Sequence, residues 1–187
     1  MLVRQVQAEH PSATVQLWAF DEHRIGLKPI RRRVWARRGS QPVAVVHHRY
    51  EWLYLNGFVH PQSGLTCWWL LPTVRIDIFS QLLAAFAQEV GAGPDKIVLL
   101  VVDCAGWHTS EQVQVPEGII LVFLPPYSPE LQPAERLWPL TNTALANRCF
   151  ASLDDLIAVQ SERCRVLHAQ PERIRRETRY HWWPLIE

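Results

Sequence analysis

IILVFLPPYSPELQPAERL, Ile119 to Leu137, is the stretch that decides how this chain reads. Its apolar run stops at Leu124-Pro125-Pro126. Proline has no N–H to give a sheet, so the pattern predicts a short buried strand followed by a loop. Pro133 suits the first position of a helix, where a missing N–H is tolerated. A helix over about 133–148 then carries Glu135 in its first turn, facing back toward the strand. Two more carboxylates close apolar strands elsewhere: Asp21 after the run 15–20, and Asp103 after the run 97–102.

Outward from these elements, residues 1–14 are polar and unpatterned and read as a lead-in. Residues 23–42 are basic and broken by Gly26, Pro29, Gly39 and Pro42. They predict an extended arm that either tracks a phosphate backbone or lies as a solvated loop. A short strand over 43–46 precedes a hairpin, with strands over 50–60 and 65–71, Asn56-Gly57 as a bulge or kink, and a turn at Pro61-Gln62-Ser63-Gly64. Thr73 is placed to cap a helix whose stripe is Val74, Ile78, Leu82, Phe86 and Val90, ending at Gly91. The six aliphatics at 97–102 mark a strand covered on both faces. Ser152 caps a last helix, 152–168, and residues 171–187 are left as a C-terminal tail. One mixed α/β domain over residues 15–170 follows.

With 48% hydrophobic and 20% charged residues, the composition fits a globular chain rather than a disordered or membrane one. The net charge of +1 argues weakly for a polyanion partner, but its distribution argues more strongly. Seven basic residues lie between Arg24 and Arg38 with no acid among them, and six arginines lie between Arg163 and Arg179. Arginine suits bidentate phosphate contact. Cys67, Cys104, Cys149 and Cys164 have no metal-type spacing and no leader precedes them, so buried free thiols in a reducing cytoplasm are expected.

Acids at the ends of neighbouring strands lie where open α/β sheets place their sites. Three clustered carboxylates repel one another and stay ionised together only beside cations. Magnesium or manganese prefers such oxygen donors. Two ions about 4 Å apart suit a phosphodiester substrate. Taken singly, Asp21 or Asp103 also fits a loop cap, and Glu135 a helix-dipole partner.

The blocks DEHRIGLKP (21–29), VVDCAGWH (101–108) and LPPYSPELQPAERLW (124–138) resemble the three catalytic blocks of the IS630-group transposases, relatives of the Tc1/mariner transposases. The likeness covers roughly residues 15–150, with 32 positions between the second and third acids. It implies a ribonuclease-H-like α/β fold, a mixed five-stranded sheet in order 3-2-1-4-5 flanked by helices. It also implies a DDE triad, Asp21, Asp103 and Glu135, holding two Mg²⁺ ions for which Mn²⁺ can substitute. The implied reaction is hydrolysis of a DNA strand at an element end, then attack of the freed 3′-hydroxyl on target DNA without a covalent protein intermediate. DNA is the implied partner, bound by a homodimer.

Arg24, Lys28, Arg31, Arg32 and Arg33 are candidates for phosphate contact. His108 is a candidate for touching DNA or the nucleophile, with a local structural role as the alternative. Glu22, on the opposite face from Asp21, reads as a salt-bridge partner, and Trp138 as a core anchor. Pro139 cannot donate to the Glu135 carbonyl, so the helix either kinks there or begins near it. Only 20 residues precede Asp21, so an upstream helix-turn-helix segment or partner chain is expected to read the element ends. The competing readings are a catalytically inactive remnant that binds DNA or protein, and a ribonuclease-H-like nuclease acting on hybrids or junctions.

Overall fold

Strand β1 (Thr14–Gly26) changes partner along its length. Its first half runs parallel to β4 (Lys96–Val102), as far as Ala19 opposite Val101. Its second half runs antiparallel to β2 (Trp52–His60), from Ala19 opposite Val59 to Gly26 opposite Trp52. Strand β3 (Leu65–Leu71) extends one edge beside β2, and β5 (Ile119–Phe123) extends the other, parallel to β4. This computed structural model describes residues 2–40, 42–43 and 49–186. Its sheet order, β3-β2-β1-β4-β5, is the expected ribonuclease-H-like arrangement.

Side-chain alternation splits the core in two. Val15, Leu17 and Ala19 of β1 join Ile97, Leu99 and Val101 of β4 on one face. That face is covered by α1 (Leu2–Glu9), α4 (Leu137–Thr141), α5 (Leu153–His168) and α6 (Pro171–Thr178), which contribute Val6, Leu137, Leu156, Leu167 and Ile174. Trp18 and Phe20 join Val98, Leu100 and Val102 on the other face, under Phe79, Leu82, Leu83 and Phe86 of α2 (Ile76–Val90). Burial of β4 on both faces accounts for its unbroken aliphatic run.

Several expectations change. Strand β1 continues five residues past Asp21, because β2 keeps pairing with it after β4 has ended. The arm therefore begins near residue 27. Asn56 and Gly57 pair in regular register on both sides, so there is no bulge. Helix α2 starts at Ile76 after Arg75, not at a Thr73 cap, while Gly91 does close it in the left-handed conformation at φ 68°. The helix over 133–148 is instead a string of short pieces: 3₁₀ turns Pro129–Leu131, Pro133–Arg136 and Asn142–Ala144 around α4. Residues left as a tail form α6 and bury Ile174 and Trp183. Cys104 and Cys149 are exposed rather than buried. The strand over 43–46 falls largely outside the described residues.

Candidate active site

Two residues beyond the Ala19–Val101 pair stand Asp21 on β1 and Asp103 just past β4. They lie where the two parallel strands part company. A cleft of about 480 Å³ opens there, lined by Asp21, Asp103, Cys104, the loop 124–129, Gln132 and Glu135. The three expected acids thus share one cavity.

Glu135 is delivered by the proline loop. Leu124 N–H donates to the Val102 carbonyl at 2.9 Å, and the exposed Cys104 thiol donates to the Leu124 carbonyl at 3.1 Å, so the loops after β4 and β5 leave the sheet tied together. Gln132 was not singled out in the sequence, yet it is the staple of this segment. It is 2% exposed, its amide donates to the Phe20 carbonyl at 2.8 Å, and its side-chain oxygen caps the turn that carries Glu135. Glu135 sits in the 3₁₀ turn before α4, the second of the two arrangements that Pro139 allowed. Tyr127 lies on the lip of the cleft, fully exposed and at φ 59°.

Each aspartate is held by one N–H donor from a ring. Trp138 Nε1 donates to Asp21 Oδ2 at 2.9 Å, while His23 stacks on the Trp138 indole at 5.1 Å. Space for that indole comes from Gly57, which pairs with Asp21: a Cβ there would meet Trp138, Trp68 and Leu137 at 3.0–3.2 Å. His108, on the short helix α3 (Gly106–Thr109), is 2% exposed and places Nδ1 2.6 Å from Asp103 Oδ1. Its Nε2 faces Glu22 Oε2 at 3.4 Å, an ionic contact without hydrogen-bond geometry, and Trp107 Nε1 donates to Glu22 Oε1 at 3.0 Å.

The charges are unevenly stabilised. Burial, then the Glu22 and Glu135 charges, push Asp21 up to about 8 against the opposing Trp138 bond. Burial and Asp103 raise Glu135. The His108 and Ala105 N–H groups, outweighing partial burial, lower Asp103. Burial alone would lower His108, but Asp103 and Glu22 more than offset it and hold it at about 9. The cleft is therefore a set of oxygens whose mutual repulsion a cation would relieve.

That donor set has the all-oxygen chemistry of a magnesium or manganese site. Among the described residues, no three His, Cys, Asp or Glu side chains stand close enough to hold one ion, so Glu135 would have to close on the two held aspartates. Asp21 and Asp103 each have one oxygen not taken by the ring donors described above, and Glu135 accepts no side-chain hydrogen bond among the described residues. On donor chemistry and charge the cleft fits such ions.

The basic candidates separate. Arg24 and Lys28 are exposed and line a second cleft of about 430 Å³ with Arg49, Tyr50 and Trp52, where Arg24 lies 5.5 Å above the Trp52 ring. Arg31 and Arg33 are exposed. Arg32 instead anchors the arm: its guanidinium donates to Thr143 Oγ1 at 3.1 Å and to the Pro139 carbonyl at 2.7 Å, and its backbone exchanges bonds with Asn147. His108 is buried among Phe20, Phe79 and Trp107 and does not face the surface expected for DNA.

Fold and cleft together describe a domain of the DDE nuclease class. Residues 16–157 match the family model for the DDE superfamily endonucleases, and this chain belongs to that family. A protein of Sinorhizobium fredii (strain NBRC 101917 / NGR234), called uncharacterized protein y4pE/y4sA, is 36% identical over 107 residues, covering 57% of this chain and 78% of its own length. Among solved structures, the Mos1 strand transfer complex superposes with a TM-score of 0.59 at 18% identity, over 96% of this chain and 59% of that one. The mariner Mos1 paired end complex with Mg gives 0.58 at 22% identity, over 88% and 56%. The isolated catalytic domain of Mos1 mariner transposase gives 0.51 at 19% identity, over 96% and 89%. This chain therefore spans about three fifths of the transposase chains in those complexes, and nearly all of the catalytic domain. The family model and the fold agree: this chain of the DDE endonuclease family is folded like the catalytic domain of Mos1 mariner transposase. Among the described residues no helix is long and apolar enough to cross a membrane.

Proposed function

We propose that this chain is the catalytic domain of an IS630-group DDE transposase, cleaving DNA at an element end and joining the freed 3′-hydroxyl to target DNA. The observation that carries the reading is the meeting of Asp21, Asp103 and Glu135 in one cleft at the end of β1 and β4, in a chain of the DDE endonuclease family. Asp21 and Asp103 would each offer the oxygen not held by a ring donor, and Glu135 would close on them from the proline loop. Two Mg²⁺ ions, or Mn²⁺ in their place, would supply neutralisation of the phosphate charge and activation of the attacking oxygen. The fixed loops after β4 and β5 would align the phosphodiester for in-line displacement, so the chain need not supply a nucleophile of its own.

Arg24, Lys28, Arg31 and Arg33 would bind phosphates, which confers affinity without sequence choice. Selection of the element end would come from a helix-turn-helix segment or partner chain, with the domain working as a homodimer on DNA in the cytoplasm. The test is cleavage of element-end DNA in Mg²⁺ or Mn²⁺ by the chain joined to its upstream reading frame. Cutting by the wild type and none by Asp103→Asn is expected; a folded wild type that cuts nothing in either metal overturns the reading.

A second reading, an inactive remnant that binds DNA or protein, is favoured by the separation of the three acids. It predicts salt-dependent DNA binding that survives removal of all three acids, with no turnover in the wild type.

A further inference from the structure

We propose that His108 is a positioning residue, which turns one oxygen of Asp103 away from the cleft and so presents the other to it. The inference rests on the metal-binding reading of the cleft given above.

His108 lies beneath the cleft rather than in it, wedged 4.5 Å from the Phe79 ring and 5.5 Å from the Phe20 ring. An apolar side chain would suit those neighbours. A buried ionic arrangement stabilises a fold less than well-packed apolar residues of similar volume, so packing gives no reason for histidine here. Its contacts do give one. Asp103 Oδ1 receives both His108 Nδ1, at 2.6 Å, and the Ala105 N–H, at 3.1 Å. That oxygen has two donors, which leaves Oδ2 for the cleft. The Asp103 side chain is 52% exposed and follows the last residue of β4, so little else restrains its rotation.

The other side of the ring fixes the ring itself. Glu22 Oε2 faces Nε2 at 3.4 Å, and Glu22 is in turn held by Trp107 Nε1. Glu22 belongs to β1, one residue after Asp21 and on the opposite face. The line Trp107, Glu22, His108, Asp103 therefore links the carboxylate just past β4 to the strand that carries Asp21. The two aspartates keep their relative placement through a bridge that touches neither substrate nor ion.

Asparagine and glutamine separate the two ring nitrogens, because the Asn side-chain nitrogen lies where Nδ1 lies and that of Gln lies nearer Nε2. Mn²⁺ affinity is measured by calorimetry on the wild type, His108→Ala, His108→Asn and His108→Gln, with melting curves to establish that each is folded. Loss of a ligand-orienting partner typically weakens metal binding by about 10–100-fold. His108→Ala and His108→Gln are expected to show that loss, and His108→Asn to recover most of it. Wild-type affinity in His108→Ala, or equal weakness in His108→Asn and His108→Ala, overturns the proposal. A metal-free measurement stands beside it: the Nδ1 proton bonded to Asp103 should resonate far downfield in the NMR spectrum and vanish in Asp103→Ala. If the wild type binds no Mn²⁺, the metal reading fails and this resonance alone decides whether His108 holds Asp103, its absence overturning the inference.

Discussion

Trp138 reaches Asp21 over Gly57: the indole N–H donates at 2.9 Å to a carboxylate whose strand partner has no side chain to block it. Gly57→Val should therefore push Trp138 off its bond. Overpacking of this kind costs about 1–3 kcal/mol, measurable as a lower urea midpoint. Trp138→Phe keeps the ring and removes the donor, so Asp21 should become harder still to ionise, read from its carboxyl resonance across a pH titration.

This relationship shows what the sequence carried and what it did not. The six aliphatics of β4 and the prolines after β5 report local constraints, burial on both faces and loss of N–H donors, and both strands fall where the pattern put them. The sheet order came through the motif resemblance. Gly57 looked like a bulge because its reason is an indole 81 residues away, and no local pattern encodes that. For His108 the sequence left DNA or nucleophile contact and a local structural role both open, because Glu22, its second partner, lies on another strand. The helix over 133–148 breaks between Arg136 and Leu137, ahead of a Pro139 that cannot donate to the Glu135 carbonyl; that effect was legible, although the 3₁₀ turns on either side of α4 were not.

Metal-free stability should fall as pH rises. Asp21 goes from the usual 3.8 to about 8 on folding, so between those values the folded chain binds more protons than the unfolded one, and ionisation destabilises it. His108 adds the same sign, since its stabilisation is complete below 6.5 and lost as pH rises through about 9. In EDTA the urea midpoint should drop from pH 6 to 9. Asp21→Asn should flatten much of that slope, and Mg²⁺ should raise the wild-type midpoint most at the alkaline end.

His60 gives an acid limb of opposite sign. It stacks on Trp18 at 5.3 Å, bonds Ser63 Oγ at 2.7 Å, and burial followed by the Lys96 charge lowers it from 6.5 to about 4. The unfolded chain then binds more protons in that window, so stability present above 6.5 is lost as pH falls toward 4. The integrated effect is of order 3 kcal/mol. Burial lowers His23 too, with the same sign. Asp21 runs the other way across the same window, so His60→Gln should tilt the profile between pH 6.5 and 4.5 toward higher stability at low pH in denaturant titrations.

Arm arginines should divide by role. Arg31→Ala with Arg33→Ala should weaken binding to any duplex and reduce the slope of log K against log salt by about 2. Arg32→Ala should release the arm from Pro139 and Thr143 while its backbone bonds to Asn147 remain, read as faster proteolysis between residues 27 and 40.

The most direct test of the central claim is calorimetric titration of Mn²⁺ into the folded wild-type chain and into Asp103→Ala. The wild type should bind Mn²⁺, with affinity falling at least about tenfold in the variant. A folded wild type that binds no Mn²⁺, or a variant that binds it as tightly, contradicts a metal site built from Asp21, Asp103 and Glu135.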